Sequence, residues 1–192
     1  ERSNLVAHPR LWAISREQLL ADLAVVPLCE AKANDNKDGH LYVPQMVEAG
    51  YSYDGNPELV LGDDQSVRIG GRVDRLDRVL DASGQAIGFA VFDYKTSSSL
   101  PTFGQIESGQ ELQLPIYIMA GQLLLGDDQR GLDCLLACYY QIRNGVAKWK
   151  ARIEPDSKRY SREVLIESAR ENIIKFVESI RAGRFPVSPG DV

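Results

Sequence analysis

The sequence predicts an α/β (α+β) domain built on a mixed β-sheet flanked by helices. Three observations carry this. Along the chain, apolar positions alternate between helical and strand spacing in the order helix, strands, helix, strands, helix. Two pairs of apolar-rich stretches are joined by short turn signals, "ASGQ" at 82–85 and Asn144-Gly145, the latter a pair suited to the positive φ angles of a two-residue hairpin. Residues 161–182 set Val164, Ile173, Ile174, Val177 and Ile180 in an amphipathic helical pattern, with Gly183 placed to end it.

Each element has its own signal. Residues 12–26 read as a short amphipathic helix, with Ser15 and Gln18 as a capping box and Leu19, Leu20 and Leu23 as its stripe. "AKANDNKDG" (31–39) is polar and reads as an exposed loop, followed by strand-like pieces at 40–48 and 58–61. Residues 66–80 and 86–95 are two long strands around "ASGQ". Over 106–125, Leu112, Ile116, Met119, Ala120 and Leu123 keep helical spacing, and Pro115 there either fits a first turn or kinks the helix. "DCLLACYYQIR" and "VAKWKARI" form the second hairpin, and "FPVSPGDV" closes the chain in extended form.

The length of 192 residues suits one domain, and 44% hydrophobic with 26% charged residues excludes a disordered or fibrous chain. The chain starts at Glu1 without an initiator Met, so a fragment of something longer is expected. No apolar run approaches the ~20 residues that span a bilayer, so no membrane association is expected. The three cysteines, Cys29, Cys134 and Cys138, form no spaced pair of the zinc type, and a reducing, cytoplasmic setting follows. A net charge of −5 argues against nucleic acid, yet residues 130–184 hold 12 Lys/Arg against 7 Asp/Glu. That local excess is either a phosphate-binding face or a solvated helix surface.

The charges in "GRVDRLDRVLDASGQAIGFAVFDYKTSSS" (71–99) are the chemical signal. With Ser83-Gly84 at the centre of the turn, Asp74 falls directly across from Asp93, so the two share a face with Cβ atoms roughly 4.5–5.5 Å apart. Lys95, two residues on, points the same way. Opposed like charges destabilise a sheet unless a cation lies between them, and Mg²⁺ favours one or two carboxylates with retained waters and a phosphate oxygen. Solvent-facing strand charges, with Lys95 in an ordinary ion pair, are the plainer alternative.

"GRVDRLD", "FDYKTSSS" and "ELQLPIY", in that order, resemble the RecB-type branch of the PD-(D/E)XK nuclease superfamily, closest to AddB-type subunits of helicase–nuclease complexes. The resemblance implies a restriction-endonuclease-like core over 51–192, after an N-terminal helical and loop region over 1–50. It implies Asp74 and Asp93 as metal ligands, joined by the carbonyl of Tyr94, and Lys95 as the catalytic lysine. Gln113 and Tyr117 match the family's Gln-x-x-x-Tyr motif, whose spacing puts both on one helix face. Glu48 is the preferred match for an upstream ligand, ahead of His8 and His40. Arg72 and Arg78 share the strand face of Asp74, and Arg75 points away.

The implied activity is Mg²⁺-dependent DNA hydrolysis, with Mn²⁺ able to substitute, by an exonuclease module of bacterial recombination or repair with a helicase domain or subunit as partner. AddB-type domains commonly carry an iron–sulfur cluster, but the three cysteines here do not reproduce its pattern, and no cluster is expected. The alternative is a catalytically silent nuclease-fold module that binds DNA or scaffolds a partner. Structural Ca²⁺ binding is a third reading, which gives Lys95 no role and finds no Ca²⁺-loop pattern. Because the turn sets the register, inserting one Gly at position 84 is expected to abolish Mg²⁺-dependent cutting of linear DNA. Retained cutting would show the register argument to be wrong.

Overall fold

In the computed structural model, which describes residues 9–34, 39–53, 55–62, 67–125, 131–155 and 161–184, the chain opens with helices α1 (Pro9–Ala24) and α2 (Val26–Asn34). They replace the single helix expected over 12–26 and take in the start of the loop expected at 31–39. Pro9 opens α1, where its fixed φ and missing N–H suit a first helical position. Ser15 and Gln18 therefore lie inside the helix and form no cap; Gln18 donates to Asp22 instead, at 3.1 Å. Leu19, Leu20 and Leu23 remain about half exposed. His8, and the expected extended form of 185–192, lie outside the described residues.

The chain continues through β1 (Leu41–Tyr51), β2 (Leu59–Leu61), β3 (Val67–Ile69), β4 (Gly71–Leu80) and β5 (Ala86–Lys95). Then come α3 (Phe103–Glu107), α4 (Gln113–Leu124), β6 (Cys134–Arg143), β7 (Val146–Ile153) and α5 (Arg162–Arg181). The helix expected over 106–125 is thus two helices. Thr102 caps α3 in a reciprocal box with Gln105, and Gly109, at φ 77, turns the chain out of it. Pro115 sits in the first turn of α4, where no intrahelical partner is lost.

Five strands make one sheet in the order β1-β4-β5-β6-β7, and β2 and β3 pair separately. β5 and β6 run parallel while the other neighbours are antiparallel, so the sheet is mixed, as expected. Two cores lie on its two faces. One joins Leu76, Phe89, Val91 and Tyr139 to Ile118 of α4 and Leu165 of α5. The other joins Val79, Phe92, Tyr140 and Tyr42, with Val26 and Cys29 of α2 against it. Cys134 and Cys138 are buried in β6 as small apolar side chains. The hairpin at Asn144-Gly145 is as expected, with φ 52 and 66 at its two central residues.

The register between β4 and β5 is the expected one: Arg75 faces Phe92, Asp77 faces Ala90 and Val79 faces Gly88. The turn that produces it is not. Asp81 N donates to Gln85 O at 2.9 Å and Leu80 pairs with Ala86, so the turn encloses only residues 82–84. That turn alone would shift the pairing by one. An irregularity between Val79 and Leu80, opposite Ile87, restores it. Turn and bulge therefore set the register together, and "ASGQ" does not act alone.

Gly121 lets α4 approach the sheet. A Cβ there would lie 2.8 Å from the ring of Phe89, 3.0 Å from Leu76 and 3.2 Å from Val91. Replacing Gly121 by Val is expected to destabilise the protein on the order of 1–3 kcal/mol through overpacking, measured by urea unfolding. Unchanged stability would mean that α4 has slack against the sheet.

Candidate active site

β4, β5 and α4 bring Asp74, Asp93, Lys95, Gln113 and Tyr117 into one chain of contacts. Lys95 Nζ lies 2.7 Å from Asp93 Oδ2 and donates to Gln113 Oε1 at 2.7 Å. Gln113 Nε2 donates to the Tyr117 hydroxyl at 3.1 Å, and that hydroxyl donates to Asp74 Oδ1 at 3.0 Å. The other oxygen of Asp74 accepts the backbone N–H of Tyr94 at 3.0 Å. The β4–β5 ladder ends at Arg75–Phe92, and beyond it the Asp74 carboxylate takes up an amide that the next strand pair would otherwise serve. The start of α4 at Gln113 makes this possible, since residues one turn apart stack on one helix face.

Asp93 is the unusual member. It is 1% exposed, and burial pushes its pKa up to about 6, against the opposing pull of Lys95 and with added repulsion from Asp74 and Glu111. Lys95, 2.7 Å from Asp93 Oδ2, is the counter-charge this carboxylate already faces. Two carboxylates side by side, one of them buried, are an oxygen donor set that suits a further, divalent cation. Burial likewise raises the pKa of Tyr117, as do the charge and hydrogen bond of Asp74, so Tyr117 stays a phenol that donates to Asp74.

Glu48 is not brought into this cluster. Its neighbours Val47 and Ala49 pair with Arg75 and Val73, which sets Glu48 across the ladder from Asp74. At φ 49, however, it leaves the strand conformation, and its exposed carboxylate lies 3.4 Å from Arg72 Nη1. Among the described residues no group of three acidic, His or Cys side chains is arranged to hold a metal. Arg72 is spent on Glu48, and Arg78 lies opposite Phe89, four residues along β4 from Asp74.

Arg75 points to the opposite face, as expected, but its role there was not foreseen. Its guanidinium donates to both oxygens of Asp77 (2.6 and 2.5 Å), both oxygens of Glu30 on α2 (2.8 and 3.0 Å) and the Tyr94 hydroxyl (3.3 Å). Burial works against its charge, but these hydrogen bonds outweigh it and raise the pKa above the ordinary arginine value. The spacing of Arg75 and Asp77 was the available signal, since alternate strand residues share a face. Glu30, 45 residues away, gave none. Tyr139, fully buried with Lys95 Nζ 5.5 Å from its ring centroid, was also missed, as was Glu111, whose carboxylate accepts the Gln113 backbone amide at 3.3 Å.

A family model of the PD-(D/E)XK nuclease superfamily matches residues 2–191. The chain belongs to that superfamily. No curated protein matches it significantly. Membership in the PD-(D/E)XK superfamily implies a nuclease, hydrolysing phosphodiester bonds on a restriction-endonuclease-like core, and such nucleases typically use divalent metals such as Mg²⁺.

The raised pKa of Asp93 has a consequence for stability. Between its ordinary 3.8 and about 6 the folded protein holds a proton that the unfolded chain releases. This carboxyl's contribution to stability therefore falls as pH rises through that window. Metal-free protein is expected to lose up to about 3 kcal/mol at pH 7.5 relative to pH 4, compared with the Asp93→Asn variant over the same interval. Urea unfolding of both proteins at both pH values measures this, and parallel profiles would refute it.

Proposed function

We propose that this chain is a Mg²⁺-dependent deoxyribonuclease domain of the RecB-like, AddB-type kind. In this reading it is an exonuclease module of bacterial DNA recombination or repair that works in the cytoplasm with a helicase domain or subunit. The observation that carries the catalytic part is the unbroken chain of contacts from Asp93 through Lys95, Gln113 and Tyr117 to Asp74. It links residues of three separate sequence motifs at one end of β4 and β5. A set of strand charges without function would gain nothing from it, since buried charges and half-buried polar groups cost stability.

Asp74, Asp93 and the Tyr94 carbonyl would hold the cation, an all-oxygen set that suits Mg²⁺, with Mn²⁺ as substitute. Glu48, across the ladder from Asp74, is the candidate for a further ligand. When bound, the metal supplies an activated water and offsets charge on the phosphoryl oxygens. The residues of the chain do the rest. Lys95 places a positive charge where negative charge develops. Gln113 holds the Lys95 ammonium, and Tyr117 and the Tyr94 amide fix the two oxygens of Asp74. Water adds to phosphorus, the bond to the 3′ oxygen breaks and that oxygen takes up a proton. The products are a 5′-phosphate and a 3′-hydroxyl, with no covalent enzyme intermediate.

One observation favours the rival reading of a silent DNA-binding or scaffolding module. Among the described residues no third acidic side chain joins Asp74 and Asp93 in a metal-holding group, and Glu48 is paired with Arg72. Incubating the protein with linear single- and double-stranded DNA, with Mg²⁺, Mn²⁺ or EDTA, separates the two. Cleavage is expected with metal only, and Asp93→Ala and Lys95→Ala are expected to reduce it at least about a hundredfold. Tyr117→Phe, which removes the donor to Asp74, is expected to raise the Mg²⁺ concentration for half-maximal cleavage roughly 10–100-fold. DNA binding without cutting under every metal condition would establish the silent module instead.

A further inference from the structure

The cationic bias of residues 130–184 has a location. β6 and β7 pair so that Tyr139 faces Lys150 and Gln141 faces Lys148, and directly opposed residues share a sheet face. Tyr139 lies beneath Lys95, so Lys150 and Lys148 stand on the face that carries the candidate site. The Gln141 side chain donates to the carbonyl of Ser97 at 2.8 Å, and Arg143 donates to the carbonyl of Thr96 at 3.3 Å. Both contacts fasten the segment that leaves Lys95 to this edge. Between them opens a concavity of about 350 Å³, lined by Ser98, Gln141, Arg143, Lys148 and Lys150, with no carboxylate among its lining residues. Lys148 and Lys150 are exposed, and neither is drawn into an ion pair among the described residues, although Arg152 on the same strand pairs with Glu154 at 2.7 Å.

We propose that this edge grips the DNA strand whose phosphodiester lies at Asp74 and Asp93, with Lys148, Lys150 and Arg143 against its phosphates. The proposal rests on the nuclease reading and adds the path of the strand. β7 is two strand spacings from β5, roughly 10 Å. Over that distance the grip meets phosphates close to the bond that is cut, within the next few nucleotides of the same strand. The concavity matches one polyanionic strand in charge. The aromatic Tyr139 and the polar Gln141 lie between it and Lys95.

The test uses protein carrying Asp93→Asn, so that DNA stays intact, and measures binding of single-stranded deoxyoligonucleotides by fluorescence anisotropy in Mg²⁺ across a salt series. Adding Lys148→Glu and Lys150→Glu is expected to weaken binding roughly tenfold or more and to flatten the plot of log affinity against log salt by about 1.4, that is ~0.7 for each lost phosphate contact. The Lys148→Arg, Lys150→Arg pair is expected to bind as before. If the charge-reversed protein does not fold, Lys148→Gln alone must still flatten the slope by about 0.7. A chain that cuts DNA with Asp93 restored, yet whose affinity and salt slope ignore these changes, overturns the grip and leaves the nuclease standing. A chain that neither binds nor cuts DNA overturns both.

Discussion

The site depends on a buried arginine that takes no part in it. Arg75 has five N–H donors, and each has an acceptor on Asp77, Glu30 or Tyr94, while its guanidinium carbon also lies 4.8 Å over the Phe92 ring. A guanidinium buried to 5% exposure is tolerable only when saturated in this way, and losing one partner would leave buried N–H donors without acceptors. The cluster ties α2 to β4 and β5 from behind. Tyr94 links the two sides, with its hydroxyl held by Arg75 at the back and its amide held by Asp74 at the front. The alternation of strand side chains thus lets seven consecutive residues, "RVDRLDR" from Arg72 to Arg78, serve both faces of the sheet.

The front depends in turn on how near α4 comes. Gln113 and Tyr117 reach Lys95 and Asp74 from the first turns of that helix, and Gly121, one turn further on, removes the side chain that would hold the helix away. The result is a half-buried polar chain, whose hydrogen bonds gain strength to the extent that solvent is kept from them. The same burial disfavours the Asp93 anion, which the Lys95 ammonium offsets only in part.

Much of this was legible in the sequence, for identifiable reasons. Strand alternation is strict, so the faces of Asp74, Asp93, Lys95 and Arg75 could be read from spacing alone. The i, i+4 spacing of Gln113 and Tyr117 survived an error in where their helix begins. The register was right although the turn was misread, because the bulge opposite Ile87 cancels the short turn; nothing local announces such a cancellation. The α1 start was missed because the Ser15–Gln18 pattern imitates a cap, and caps are short motifs that recur inside helices. Glu48 was legible by its pairing position across from Asp74, but its positive φ and its Arg72 partner were not, since neither has a local sequence signal. Glu30 was invisible because its partner lies far along the chain and an isolated glutamate resembles any surface charge.

The two rims of the sheet bear on how the molecule behaves in company. A sheet edge offers unpaired amides and carbonyls that can recruit a strand from another chain. Here β1 carries Pro44, which has no N–H to give, an irregularity between Pro44 and Met46, and the left-handed Glu48. At the other rim, β7 carries Lys148 and Lys150 and an irregularity of its own opposite Ala137–Tyr139. Proline, bulges and lysine are the devices by which exposed rims are kept from zipping onto one another. The distortion at Glu48 and the lysines that face the proposed DNA strand therefore also guard the sheet against self-association.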